Sequence, residues 1–152
     1  MTDAKSRIEI VQGDITRQAI DAIVNAANNE LSPGGGVSGA IHRAAGGGLW
    51  NEAKTLGGCQ TGQAKLTKGY KLKAKYVIHT VGPVYSGSSE DPKLLASSYR
   101  ECLRLAASSG IKSIAFPAIS TGVFGYPVGD AAKVALKTVA DTLEKLSEID
   151  LV

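Results

Sequence analysis

The sequence predicts an α/β domain of three layers, with helices on both faces of a central mixed, mostly parallel sheet. Three observations predict it. Short apolar runs of strand character alternate with longer stretches of helical periodicity. Two strand-to-helix junctions, near residues 26–36 and 118–127, are loops rich in small residues. No repeat, linker or low-complexity tract divides the 152 residues, which are enough to bury a sizeable core as one domain.

Taken in order, Arg7 to Gln12 (R-I-E-I-V-Q) alternates apolar with polar residues and is predicted as a strand ended by Gly13-Asp14. Ile15 to Asp21 reads as a connector with one helical turn. Ala22 to Asn25 is the next strand, and Val37 to Ala45 holds good helix formers and no Pro. Gly46-Gly47-Gly48 breaks the chain, and Leu49 to Leu56 forms a second helix stopped by Gly57-Gly58. Gln63 to Thr67 and Lys75 to Val81 are strands, the latter buried and closed by Gly82-Pro83. A long helix begins at Asp91-Pro92, with Pro in the first turn. Its apolar face runs through Leu94, Leu95, Ser98, Cys102, Leu105 and Ala106, and Gly110 caps it. Ser113 to Pro117 is a buried strand, Pro127 to Leu146 a helix, and Glu148 to Val152 the start of another strand.

Composition sets limits on function. Hydrophobic residues make up 43% and charged residues 20%, ordinary for a water-soluble domain. No apolar run approaches the roughly 18 residues a membrane helix needs. The N-terminal M-T-D-A-K-S-R lacks a signal peptide's apolar segment, so a cytoplasmic location is expected. Two cysteines and two histidines, all far apart, make no disulfide framework and no metal site, and no cofactor is expected. The net charge of +3 is a mild bias toward anionic ligands. Lys65, Lys68, Lys71, Lys73 and Lys75 read as the solvated side of a strand and its turn. With 5% aromatics there is no base-stacking platform, so nucleic acid is not expected as a partner.

The chemistry lies in the two small-residue loops. From Ala22 to Gly46 the chain reads A-I-V-N-A-A-N-N-E-L-S-P-G-G-G-V-S-G-A-I-H-R-A-A-G. Consecutive glycines let backbone approach a ligand, and their N–H groups lead into a helix N-terminus, where anions bind. The match to G-x-G-x-x-G at Gly34, Gly36 and Gly39 is set aside. Asn25 to Pro33 separate it from the strand, and no strand ending in an acid follows at the required distance. The second loop, A-I-S-T-G-V-F-G-Y-P at Ala118 to Pro127, repeats the arrangement with Gly122 and Gly125. Ligands of open α/β sheets sit outside the carboxyl ends of the strands, so the two loops could grip a diphosphate from both sides. No G-K-S or G-K-T follows either loop, which excludes a nucleoside triphosphatase loop. The expected ligand is a nucleotide diphosphate that is held rather than split for energy.

Seven segments, in order, resemble the macrodomains, in particular the MacroD-type ADP-ribose hydrolases. They are V-Q-G-D-I-T at Val11–Thr16, I-V-N-A-A-N at Ile23–Asn28, G-G-G-V at Gly34–Val37 and G-A-I-H-R-A-A-G at Gly39–Gly46. G-G-C-x-T-G at Gly57–Gly62, Y-V-I-H-T-V-G-P at Tyr76–Pro83 and F-P-A-I-S-T-G-V-F-G-Y-P at Phe116–Pro127 complete them. The resemblance implies a single macrodomain over residues 1–152. It implies ADP-ribose or O-acetyl-ADP-ribose as ligand, mono-ADP-ribosylated proteins as further partners, a monomer, and no metal. Asp14 would accept a hydrogen bond from the adenine amino group with Ile15 beside the ring. Gly34, Gly35, Gly36 and Val37 would cradle the diphosphate from one side. Ser120, Thr121, Gly122, Val123 and Phe124 would hold it from the other, with Phe124 and Tyr126 against the ribose. Asn28 would orient the distal ribose.

Two departures stand out. Ser38 occupies the position where the family's hydrolases usually carry an aspartate that activates or positions water. A serine is no general base near pH 7, and such catalysis is typically worth about 10²–10⁴-fold. The family's pattern also continues past Val152 with a strand and an aromatic that covers adenine. The expected activity is therefore hydrolysis of ADP-ribose esters, with Asn28 and Ser38 as the catalytic positions. The alternative is a reader of ADP-ribose without turnover, which Ser38 favours. His42 shares a helix face with Ser38, but no partner carboxylate follows and packing accounts for it equally well. Asn25 reads as capping its loop through backbone bonds. His79, Cys59, Cys102, Trp50 and Phe116 read as structural.

Overall fold

The apolar run after Asp21 becomes the centre of the sheet. In the computed structural model, which describes residues 4–152, it forms β1 (Ala22–Ala26). There follow α1 (Gly36–Ala45), α2 (Gly47–Ala53), β2 (Ala64–Lys68), β3 (Tyr76–Thr80), α3 (Glu90–Ser108), β4 (Ile114–Ala115) and α4 (Val128–Leu143). The strand order is β2-β3-β1-β4. β3 and β4 both run parallel to β1, and β2 pairs antiparallel with β3. Ile23 lies opposite Val77 on one side and Ala115 on the other.

The alternation of β1 distributes its side chains between two cores. Ala22 and Val24 pack with Ile78, Ile114 and the inner faces of α3 and α4. Ile23 packs with Val77 against Ile41, Ala45 and Leu49 of α1 and α2. Both faces of β1 are therefore covered, which is why it is a continuous apolar run rather than an alternating one. Each fully buried Ile or Leu here contributes about 1.5–3 kcal/mol. No helix among the described residues is long and apolar enough to cross a membrane.

Several elements differ from their sequence-based expectation. Arg7 to Gln12 is not a strand: a 3₁₀ turn spans Ala4–Arg7, and an irregular segment follows with Ile10 and Val11 largely exposed. Arg7 is drawn instead to the end of α4, where its guanidinium donates to the carbonyls of Leu143, Leu146 and Ile149 at 2.5–3.0 Å. They lie at the last residue of α4 and in the turns that follow it. The strand expected over Ser113 to Pro117 shortens to Ile114–Ala115. Its outer edge carries an isolated parallel bridge, Ser113 to Leu151, within the strand expected after Glu148. Gly46 alone, at φ 84°, separates α1 from α2, so α2 begins at Gly47 and continues as a 3₁₀ turn over Lys54–Leu56. The connector after Asp14 is a 3₁₀ turn at Ile15–Arg17. Gly110, at φ 74°, follows the last turn of α3.

Candidate functional site

β1 and β4 are adjacent and parallel, so the loops after them leave the sheet at the same end. α1 then packs on one face and α4 on the other, which makes the β1–β4 boundary a topological switch point, where open sheets form ligand crevices.

The first loop is held by its own side chains. Asn28 Oδ1 accepts from the Ser32 N–H at 3.0 Å, and Asn28 Nδ2 donates to Ser32 Oγ and to the Ser32 carbonyl. Leu31 takes a left-handed φ of 61° and is fully buried, anchoring the loop on Ala27, Ala53 and Val81. Gly34 and Gly39 touch: a Cβ on Gly39 would come within 2.4 Å of the Gly34 oxygen. Gly36 has φ 56°, while Gly35 is extended, and space is open at both. Gly35 and Gly122 do not have positive φ. In the two loops the left-handed glycines are Gly36 and Gly125. The amides of Gly36, Val37 and Ser38 open α1, where backbone donors lack intrahelical acceptors.

Asn28, Gly34 and Ser38 converge. A Cβ on Gly34 would lie 3.8 Å from Asn28 Nδ2 and 3.9 Å from Ser38 Oγ. Ser38 is buried, and its hydroxyl has no hydrogen-bond partner. His42, one turn further along α1, is also buried with neither ring nitrogen partnered, so the two side chains do not bond to each other. Burial holds the His42 pKa below its ordinary value.

In the second loop, Thr121 Oγ1 donates to the Ala118 carbonyl at 2.8 Å and the Tyr126 N–H to the Ser120 carbonyl at 2.8 Å. Ser120 has φ 68°, an unusual conformation for a non-glycine residue and one that clusters at functional sites. Gly82 admits it: a Cβ there would collide with Ser120 Oγ and with Ile119. Val123 is fully exposed and Phe124 partly so, whereas Tyr126 is buried against Tyr85 with ring centroids 5.0 Å apart. The Tyr85 N–H donates to the Phe124 carbonyl at 2.8 Å. Asp91 holds the Tyr85 segment by accepting from the Ser86 and Gly87 amides, and those bonds, the Ser86 amide foremost, lower its pKa. Tyr85 was not identified from sequence. An aromatic two residues after the strand-ending Gly82-Pro83 is the signal that could have found it.

Asp14, Ile15 and Val37 line one cavity of about 470 Å³ together with Val11, Gln12 and Phe116 to Ala118. Asp14 Oδ1 accepts from Thr16 Oγ1 at 2.7 Å and from the Thr16 amide at 2.9 Å, capping the 3₁₀ turn. The Thr16 hydroxyl, then its amide and the Arg17 charge, lower the Asp14 pKa. Oδ2 faces only Arg17, at 3.8 Å, from a half-exposed side chain. The remaining predicted residues, Asn28, Gly34 to Gly36, Ser38, Ser120 to Phe124 and Tyr126, are outside this lining. Val37 joins it to Ser38, and Ala118 joins it to the second loop.

Asn25 is corrected. Its side chain does not cap the loop; it is fully buried and bonds across the sheet to His79 Nδ1 at 3.1 Å. His79 Nε2 lies 2.9 Å from Thr67 Oγ1. Burial lowers the His79 pKa to about 4.

The Macro domain family model matches residues 24–135. A macro domain-containing protein of Methanosarcina mazei is 59% identical over 140 residues, covering 91% of this chain and 75% of that protein. A Salmonella typhimurium protein named O-acetyl-ADP-ribose deacetylase is 54% identical over 145 residues, covering 92% and 81%. The Trypanosoma brucei macrodomain solved in complex with ADP-ribose superposes with a TM-score of 0.91 at 47% identity, over 95% of this chain and 61% of that one. The extent of the family match and the identities show that this chain belongs to the macrodomain family.

Proposed function

We propose that the chain binds ADP-ribose across the β1–β4 boundary and hydrolyses ADP-ribose esters, either O-acetyl-ADP-ribose or mono-ADP-ribose on acidic protein side chains. The observation that carries this reading is the convergence of Asn28, Gly34 and Ser38 at the start of α1. The relatives whose names or structures mention ADP-ribose support the choice of ligand.

In this reading, adenine enters the Asp14 cavity, gives its amino hydrogen bond to Asp14 Oδ2, and lies beside Ile15. The diphosphate sits between the amides of Gly34 to Val37 and the turn Ser120 to Phe124, where the α1 N-terminus favours negative charge. Phe124 and Tyr126 flank the ribose. Gly34 leaves room for the distal ribose, which Asn28 orients. Water adds to the ester carbonyl, the bond from that carbon to the ribose oxygen breaks, and the water's proton passes to that oxygen. The acid and ADP-ribose then leave. Ser38 Oγ, without an internal partner, positions the water, and the substrate's phosphate takes the role a carboxylate would otherwise fill.

The second reading, a reader with no turnover, is favoured by Ser38 itself, because a hydroxyl cannot take the water's proton near pH 7. Calorimetric titration with ADP-ribose tests the shared part. Saturable binding, with AMP weaker because one loop then lacks its phosphate, supports it; no heat, or equal affinity for AMP, counts against it.

A further inference from the structure

Asn28 is strung between two fixed neighbours. On its N-terminal side, the Ala27 N–H donates to the Thr80 carbonyl at 2.8 Å, which fastens the chain to the end of β3. On its C-terminal side, Asn29 is bonded to the segment 57–61, between α2 and β2. The Cys59 N–H donates to the Asn29 carbonyl at 2.8 Å. In return, Asn29 Nδ2 donates to the Cys59 carbonyl at 2.9 Å and to Thr61 Oγ1 at 3.4 Å. Residues 29 and 59 thus exchange hydrogen bonds across a separation of 30 positions.

Packing repeats the link. The buried Cys59 side chain shares one apolar cluster with Ala27 and Leu31. The segment reaches Asn29 through two successive left-handed glycines, Gly57 at φ 75° and Gly58 at φ 82°. A Cβ on Gly58 would stand 2.8 Å from the Asn29 oxygen, which is backbone and cannot rotate aside. The side-chain bonds of Asn28 itself go to Ser32, and the Leu31 N–H donates to the Asn28 carbonyl at 3.0 Å. Those bonds are internal to the loop. They fix how the Asn28 amide is turned, while Ala27 and Asn29 fix where residue 28 stands relative to the sheet.

We propose that Asn29, seated against Gly58 and Cys59, is a positioning residue for the distal-ribose end of the site. It sets the place of Asn28 opposite Gly34 and acts on the ligand only through Asn28. The inference rests on the proposed function in one respect, that Asn28 faces the distal ribose. The Asp14 cavity is built from other segments, among them Val11 to Ile15, Val37 and Ala115 to Ala118. Loosening the clamp should therefore spare adenine and diphosphate and be felt at the distal ribose alone. The effect on rate should be large for so small a change, because a misplacement of about 1 Å at a reacting centre can cost about 10²-fold.

The test compares ADP-ribose with ADP, which has the same adenine and diphosphate and lacks the distal ribose. Calorimetric titration of each variant gives the ratio of the two affinities. Asn29→Asp keeps the side chain's shape and replaces the donor facing the Cys59 carbonyl by an acceptor, so the ratio should fall about threefold or more. Gly58→Ala presses on the Asn29 carbonyl and should lower it about tenfold. ADP should bind both variants as it binds wild type. In an Asn28→Ala background, Asn29→Asp should add no further loss, as expected of two residues acting as one unit. Gln60→Ala, which alters an exposed side chain of the same segment, should change neither affinity. An unchanged ratio in Asn29→Asp and Gly58→Ala overturns the proposal. So does a parallel loss of ADP and ADP-ribose, the mark of a merely structural role, or a full additional loss on top of Asn28→Ala. If Gly58→Ala does not fold, Asn29→Asp decides alone. A wild-type protein that leaves O-acetyl-ADP-ribose intact, with the ratio still dependent on Asn29, counts against ester hydrolysis and leaves the positioning role standing. A ratio lowered by Asn28→Ala and untouched by Asn29→Asp does the reverse.

Discussion

Gly39 of α1 rests on the carbonyl of Gly34, with room for a hydrogen and no more: a Cβ at Gly39 would stand 2.4 Å from that oxygen. The contact sets the path of the loop that carries Gly34 to Gly36 past Ser38. Gly39→Ala should push the loop away, because the obstacle is backbone and cannot rotate aside. Overpacking of this kind costs about 1–3 kcal/mol. Urea denaturation should show that loss, and calorimetry should show ADP-ribose affinity reduced more than tenfold. Unchanged affinity would place the loop away from the ligand.

His79 gives a prediction about pH. Its folded pKa, about 4, lies below the ordinary 6.5 because the ring is buried. Between those values the unfolded chain binds the proton and the folded chain does not. Stability is therefore full above pH 6.5 and is lost as pH falls toward 4, by about 3 kcal/mol at about 1.36 kcal/mol per pH unit. His42 acts in the same direction. Urea melts at pH 7.5 and pH 4.5 should show a gap that shrinks in His79→Gln. An equal gap in both proteins would assign the acid sensitivity elsewhere.

Asp14 divides its oxygens: Oδ1 caps the turn through Thr16, and Oδ2 is open to a ligand. Asp14→Asn keeps one acceptor for the cap and presents a donor where adenine's amino group would point. ADP-ribose affinity should fall about tenfold, the loss of a hydrogen bond to a charged group at a half-exposed site. Binding of ribose 5-phosphate, which has no adenine, should be unchanged. A parallel loss for both ligands would place Asp14 away from the base.

Ser38→Asp would put a carboxylate beside Asn28 and Gly34. Single-turnover rates should rise by up to about 10²-fold. Affinity for ADP-ribose should hold or fall slightly, since the new charge faces the diphosphate. Faster turnover without tighter binding marks an interaction made mainly in the transition state. Tighter binding with no gain in rate would contradict the placement of Ser38 at the reacting end.

Much of this was legible in the sequence where local signals decided the outcome. The Ala22–Ala26 run, the helix after three glycines and the stop at Gly110 each carry their own cause. What was not legible depends on distant partners. Arg7 to Gln12 alternates like a strand, but Arg7 is claimed by carbonyls some 140 residues away. Asn25 resembles a loop cap until His79, 54 residues on, supplies its partner. The choice of Gly36 and Gly125 over Gly35 and Gly122 for left-handed φ follows from where α1 and the second turn begin, which no residue type dictates.

The central claim is ester hydrolysis at the meeting point of Asn28, Gly34 and Ser38. Single-turnover hydrolysis of O-acetyl-ADP-ribose, wild type beside Asn28→Ala, tests it most directly. A wild-type rate well above buffer is expected, and a rate at least tenfold lower in Asn28→Ala with the fold intact. A wild-type rate equal to buffer, with ADP-ribose still bound, would contradict it and leave the domain a reader.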